Sequence, residues 1–262
     1  MMISLKNKNG IVCAGSSGIG AGIVSVLASY GANITTFSRN TDKLLRVKNE
    51  ILNKTGNEIN IIKADLSSKN DLLNVIKSSR ERYGSIDFLV MNYGDPKVDE
   101  FLNLSDDDWE YNINMMLMST INLTKWALED MIKSKNGRII YVTSMTTKNP
   151  LKNFAISNTL RSGIVALGKT LSIELAPKNI TVNSISQGYF YTDRLKNIIR
   201  KNARDLNIDE ADAEKSILEQ IPAGRFGNPQ EIGHLVAFLL SDDASYITGT
   251  NIQIDGGAVK SI

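Results

Sequence analysis

Cysteine and histidine are nearly missing from this chain: each occurs once in 262 residues, as Cys13 and His234. One thiol rules out an internal disulfide, and a single thiol with a single imidazole leaves too few ligands for a cysteine-based metal cluster. No metal site is expected. Cys13 stands in an apolar, strand-like run and reads as a packed core side chain. His234, within EIGHLVAFLL, reads as a helix side chain with no second ligand or proton-transfer partner in sight. Long apolar runs are missing too: none approaches the roughly 18 residues of a membrane span, and the opening MMISLKNKNG has no signal-peptide apolar region. Nor does one sign of charge dominate. Lys and Arg number 30 against 28 Asp and Glu, leaving a net charge of +2 with the signs interspersed, which gives no footprint for nucleic acid. These absences lead to the expectation of a soluble, cytoplasmic protein with no membrane or nucleic-acid partner.

What is present is an alternation of short strands and helices along the whole chain, which predicts one α/β domain over residues 1–262. Ile11 to Cys13 reads as a strand that breaks into GSSGIG, after which Ala21 to Tyr30 reads as a helix. The pattern continues with strand Asn33 to Ser38, helix Thr41 to Lys54, strand Ile59 to Ala64, helix Lys69 to Tyr83 and strand Ile86 to Met91. Such alternation implies a doubly wound parallel sheet with right-handed crossovers. Ser105 is a natural N-cap for a helix reaching Lys133, and Asp106, Asp107 and Asp108 read as helix-end charges rather than a metal site. Strand Arg138 to Thr143, helix Ile156 to Leu175 stopped by Pro177, strand Ile180 to Ile185, helix Pro229 to Leu240 and strand Asn251 to Ile254 complete the order. The charged, helix-favouring stretch from Thr192 to Ile221 looks inserted.

Glycines between a first strand and a first helix let the backbone approach a diphosphate, and the helix N-terminus adds amide donors and a favourable dipole. Gly15, Gly18 and Gly20 hold that place. At the end of the second strand an acidic residue takes the ribose of NAD, whereas a basic one accommodates the 2′-phosphate of NADP. Here the strand ends in Ser38 and Arg39, which favours NADP(H) over NAD(H) because a guanidinium matches phosphate oxygens. The alternative for Arg39 is an ordinary solvated loop side chain. Asp65, after the third strand, is placed either to accept a hydrogen bond from an adenine amino group or to cap the next helix with Ser67.

The motifs SSGIG (Ser16 to Gly20), LVMNYG (Leu89 to Gly94), GRIIYVTS (Gly137 to Ser144), TVNSISQGYFYT (Thr181 to Thr192) and YITGTNIQIDGG (Tyr246 to Gly257) resemble, in order and spacing, those of the short-chain dehydrogenases/reductases, notably 3-oxoacyl-carrier-protein reductases. The resemblance implies a single-domain Rossmann fold with seven parallel strands and helices on both faces, a nicotinamide cofactor and a homo-oligomer, commonly a tetramer. It extends the expected cofactor contacts to Ser16, Ser17, Ile19, Leu66, Asn92, Gly94, Gly188 and Thr192, and makes 192–221 a substrate lid.

The family's catalytic asparagine, serine, tyrosine and lysine can each be located by spacing. Ser144 keeps the serine place, but Ser157 stands for the tyrosine, Arg161 for the lysine and Met116 for the asparagine. A serine is a far weaker acid than a phenol and reaches less far, while an arginine can grip the nicotinamide ribose yet does not readily release a proton. The turn departs as well, with Ala14 where the family has glycine. If the proton donor has moved, Tyr93 and Tyr189 are the phenols to consider, with Tyr191 third; the alternative for each is packing over the cleft. Lys148 and Lys152 are candidates to meet an anionic substrate, or else surface lysines. Two functions follow: an NADP-dependent oxidoreductase acting on a small carbonyl or alcohol substrate with an altered proton donor, or an NADP(H)-binding protein without redox activity, serving as sensor, scaffold or inactive subunit. Different chemistry on the same fold, such as dehydration or epimerisation, is a third.

Overall fold

A computed structural model describes residues 3–261; Met1, Met2 and Ile262, the outer ends of the expected domain, lie outside the described residues. Seven strands form one all-parallel sheet: β1 (Asn9–Cys13), β2 (Asn33–Ser38), β3 (Asn60–Lys63), β4 (Phe88–Met91), β5 (Gly137–Val142), β6 (Ile180–Gln187) and β7 (Asn251–Ile254), in the spatial order β3-β2-β1-β4-β5-β6-β7. The register runs Cys13 against Phe37 on one side of β1 and Val12 against Val90 on the other. After β3 the chain crosses to the opposite side of β1, which opens a crevice at the carboxyl ends of β1 and β4.

The sheet is covered on both faces because its strands carry apolar side chains toward both. Ile11 and Cys13 of β1 pack into one cluster, and Val12 packs into the other. The first cluster takes in α3 (Lys69–Tyr83), α5 (Ser119–Ser134) and α6 (Ala155–Leu175) through Leu72, Val75, Leu123, Met131, Ile156 and Ile164. The second takes in α1 (Gly18–Ser29), α2 (Thr41–Thr55) and α9 (Pro229–Leu240) through Ile23, Leu27, Val47, Ile51, Ile232 and Val236. On the side of the first cluster, where its Trp109 packs, α4 (Asp106–Asn112) begins with the capping box expected at Ser105, whose side chain accepts from the Asp108 amide while the Asp108 carboxylate accepts from the Ser105 amide.

Two differences from the sequence reading matter. The helix after Ser105 is not uniform: Ile113–Met118 forms a π-turn between α4 and α5. Hydroxyls explain part of this, since Ser119 donates to the Met115 carbonyl at 2.7 Å and Thr120 to the Met116 carbonyl at 2.6 Å, competing with the backbone ladder. The cap of α3 is Ser68, not Asp65 with Ser67; Asp65 instead accepts both the Ser67 amide, at 2.9 Å, and its hydroxyl, at 2.8 Å, and so fastens the turn ahead of the cap. The stretch after β6 folds as α7 (Asp193–Leu206) and α8 (Glu210–Leu218), which share a small cluster of Leu195, Ile199, Ala203, Ala213 and Ile217.

Candidate functional site

A cleft of about 480 Å³ lies over the carboxyl ends of β1, β2 and β4, a size suited to a ligand larger than a single ring. Its floor is the turn from Ala14 to Gly20. Ala14 adopts a left-handed φ of 53° and Gly18 one of 52°, so alanine in the glycine place takes a backbone conformation that glycine adopts freely. Gly15 and Gly20 do not line the cleft but make the turn possible: a Cβ on Gly15 would come within 2.2 Å of the Thr36 hydroxyl, and one on Gly20 within 2.1 Å of the Ala14 carbonyl oxygen. Ser16, Ser17, Gly18 and Ile19 face the cleft. Helix α1 starts here with its amide donors uncompensated, because the N-cap Ser17 makes no side-chain cap and no acidic residue stands in the first turn. Free amides, a positive helix end and glycines that admit close approach suit a diphosphate.

At one end of the cleft Ser38 and Arg39 lie as the sequence indicates, together with Leu66 and Asp65. Arg39 donates to the Tyr111 hydroxyl at 3.2 Å and stands 3.9 Å from Asp65. The Ser38 hydroxyl turns back to the Asn40 carbonyl at 3.2 Å. Sequence reasoning missed Lys43, one turn into α2, whose ammonium joins Arg39 at this end; a second cation four residues after the first, on the exposed start of a helix, was the available signal.

At the other end stand Asn92, Tyr93, Gly94 and Arg161. Arg161 is only 5 % exposed, yet its recorded partners are neutral: Nε donates to the Ser157 hydroxyl at 3.2 Å, Nη1 to the Val142 carbonyl at 3.3 Å, and its carbon lies 5.8 Å from the Tyr93 ring centre. Burial, and then the nearby Arg194 charge, lower its pKa to about 10, so the group remains a cation at neutral pH. Ser157 is buried behind Arg161 and does not line the cleft. Ser144, half-buried two residues beyond the end of β5, is not part of the cleft lining, although Val142 is; its hydroxyl accepts the Thr146 amide at 3.2 Å, which leaves its own proton free to donate.

The phenols behave differently from a relocated donor. Tyr93 shares a 2.7 Å hydrogen bond with Thr120, whose proton goes to the Met116 carbonyl, so Tyr93 is the donor in that bond. Burial raises its pKa well above that of an ordinary phenol. Tyr189 packs against the α7 and α8 cluster and is not part of the cleft lining; burial raises it as well. Gly188 likewise serves packing, since a Cβ there would meet Asp255 at 2.7 Å. Thr192 does line the cleft and caps α7 by accepting the Leu195 amide. Met116, fully buried, belongs to the core. Lys148 and Lys152 are exposed and do not line the cleft. Cys13 is buried with its thiol against the Met91 sulfur, and His234 is exposed beside Tyr30. Among the described residues no helix is long and apolar enough to cross a membrane.

A switch-point crevice, a glycine turn at an open helix end and a basic second-strand terminus together define a Rossmann-type dinucleotide-binding protein. Comparison with known proteins narrows this. A family model described as enoyl-(acyl carrier protein) reductase matches residues 13–259. The chain is 34 % identical over 261 residues to the oxidoreductase UcpA of Salmonella typhimurium, spanning 98 % of this chain and 96 % of that one. It is 32 % identical over 263 residues to the NADPH-dependent reductase BacG of Bacillus subtilis, spanning 98 % and 100 %. Among solved structures, L-sorbose reductase from Gluconobacter frateurii, complexed with NADPH and L-sorbose, superimposes with a TM-score of 0.94 at 26 % identity, covering all of both chains. The chain belongs to the short-chain dehydrogenase/reductase family of oxidoreductases.

Proposed function

We propose that the chain is an NADP(H)-dependent oxidoreductase that reduces a ketone, or oxidises a secondary alcohol, with a proton-donor arrangement unlike that of its family. The observation that carries this reading is one cleft joining an open helix end, a cationic second-strand terminus and a buried guanidinium. NADPH-linked relatives add support. The cofactor is held by the amides of Ser16 to Ile19 at its diphosphate, by Ser38, Arg39 and Lys43 at its 2′-phosphate, and by Arg161 at the nicotinamide ribose. Asp65, Leu66, Asn92, Gly94 and Thr192 shape the rest of the cleft, while α7 and α8 form a lid.

When bound, the reduced nicotinamide supplies the hydride. Reduction of a ketone also consumes one proton, and the chain must bring it to the carbonyl oxygen. Ser144, two residues beyond the cleft-lining Val142, has a free hydroxyl proton for a carbonyl oxygen seated at that edge of the cleft; the alkoxide takes this proton and water restores it to Ser144. The charge of Arg161 favours the developing oxyanion, and its bond to Ser157 fixes its position. No phenol is required, because the Tyr93 proton is committed to Thr120.

The test is NADPH oxidation with a panel of keto acids, keto esters and ketoses. Turnover that falls about a hundredfold to a thousandfold in Ser144→Ala is expected, the size of effect seen when one oxyanion donor is removed. NADPH binding without turnover of any of them overturns the redox assignment. Exposed Leu102, in the turn ahead of α4, and Ile173, on α6, 92 % and 68 % accessible, support the homo-oligomer that the family resemblance implies, which light scattering measures.

A further inference from the structure

We infer that the substrate carries a carboxylate, bound between Arg194 at the start of α7 and the free edge of Arg161. The inference deepens the reading above and rests on it. Its first support is the imbalance of charge at the Arg161 end of the cleft. Arg161 is buried, lines the cleft, and its recorded hydrogen bonds go to a hydroxyl and a backbone carbonyl; none goes to a carboxylate. A guanidinium taken out of water with no carboxylate bonded to it is costly, since Asp95 acts on it only through space, and its unused N–H groups want an anion. They are enough for ribose hydroxyls and a carboxylate oxygen together.

The second support is Arg194. It lines the same cleft and lies close enough to Arg161 for its charge to oppose that of Arg161. Two like charges held together at one wall of a cleft are tolerable when something negative joins them. At present that role falls to Asp95, on the loop after β4, which pairs with Arg194. Asp95 has 62 % of its side chain in solvent, so water screens and weakens this pair from the carboxylate side. A substrate carboxylate reaching both guanidiniums inside the cleft makes stronger, charge-assisted bonds away from solvent, and so displaces Asp95. The Asp95 carboxylate thus stands where the substrate's carboxylate goes. The lysines that sequence alone offered for an anion, Lys148 and Lys152, are elsewhere: Lys152 pairs with Glu100 and Lys148 reaches Gln253.

The experiment uses the full chain with NADPH and matched pairs, each a 2-oxo or 3-oxo acid with its methyl ester, in wild type and Arg194→Gln. The expected result is a preference for the acid in kcat/KM, lost by about tenfold to a hundredfold in the variant, with the ester changed little. In parallel, calorimetry titrates oxamate, a carboxylate that cannot be reduced, and its neutral ethyl ester into the NADP⁺ complex. Oxamate is expected to bind more tightly than the ester, and Arg194→Gln is expected to remove the difference. Equal use of acid and ester by the wild type, with equal binding, overturns the inference but leaves the redox reading intact. A variant that instead loses NADPH affinity assigns Arg194 to the cofactor diphosphate and also overturns it. Oxamate binding through Arg194 with no turnover of any pair upholds the anion site while sinking the redox reading.

Discussion

Arg39 keeps 70 % of its side chain in solvent, held by a 3.2 Å bond to the Tyr111 hydroxyl and a 3.9 Å pair with Asp65, whereas Arg161, at the other end of the same cleft, is 5 % exposed and bonded to Ser157 and Val142. The first end is a set of loosely held charges over a strictly shaped backbone turn. The second is a set of buried groups whose partners are fixed before any ligand arrives. The contrast separates two tasks: a phosphate can recruit mobile cations with little loss, but a reacting carbonyl needs donors that do not have to reorganise. It also tracks the family likeness in sequence, since the turn keeps the SSGIG motif while the Tyr, Lys and Asn places hold Ser157, Arg161 and Met116.

The sharpest way to break the comparison is at the turn. In Gly20→Ala the new Cβ meets the Ala14 carbonyl oxygen at 2.1 Å, so NADPH affinity is expected to fall by more than about a hundredfold in calorimetry. Affinity within threefold of wild type means that the turn does not cradle the diphosphate. Next in size is Arg39→Ala, expected to raise the Kd for NADPH by about tenfold to a hundredfold while leaving NADH unchanged, the signature of a phosphate contact. Equal weakening of both coenzymes would place Arg39 elsewhere on the adenosine.

At the buried end Tyr93→Phe is expected to keep kcat within about twofold and to cost about 1 kcal/mol of stability in a denaturant titration, the worth of its bond to Thr120. A collapse of kcat with stability preserved would make Tyr93 the proton donor after all. The smallest effect belongs to Ala14→Gly. Relief of the left-handed φ of 53° is expected to stabilise the chain by about 1 kcal/mol, a melting-temperature rise of a few degrees, with coenzyme affinity unchanged.

The sheet and its covering helices were legible because period and punctuation agree: the predicted bounds of β2, α3, α9 and β7 are those observed. The π-turn was not, since Asn-Ile-Asn-Met-Met has nothing in its pattern to separate it from an α-helix, and the hydroxyls that shape it lie beyond it at Ser119 and Thr120. At the site, positions were legible and orientations were not. Spacing found Arg161 and Ser157, and their separation of four residues on one helix already allows the bond between them, but that Arg161 turns inward to the Val142 carbonyl, and that Tyr189 packs with α7 and α8 rather than along the cleft, follows only from tertiary packing. Lys43 was passed over although it follows Arg39 by four residues, and Arg194 because a lone cation on a helix gives no direction until its neighbours are known.

Helix α1 begins without a side-chain cap, unlike α2, α3 and α9, which have Asn40, Ser68 and Asn228. Its opening turn therefore breathes most freely when nothing sits against it, and an occupant that accepts its amide protons slows their exchange with solvent. Deuterium uptake at residues 18–21 becomes a reporter of occupancy that works before any substrate has been found.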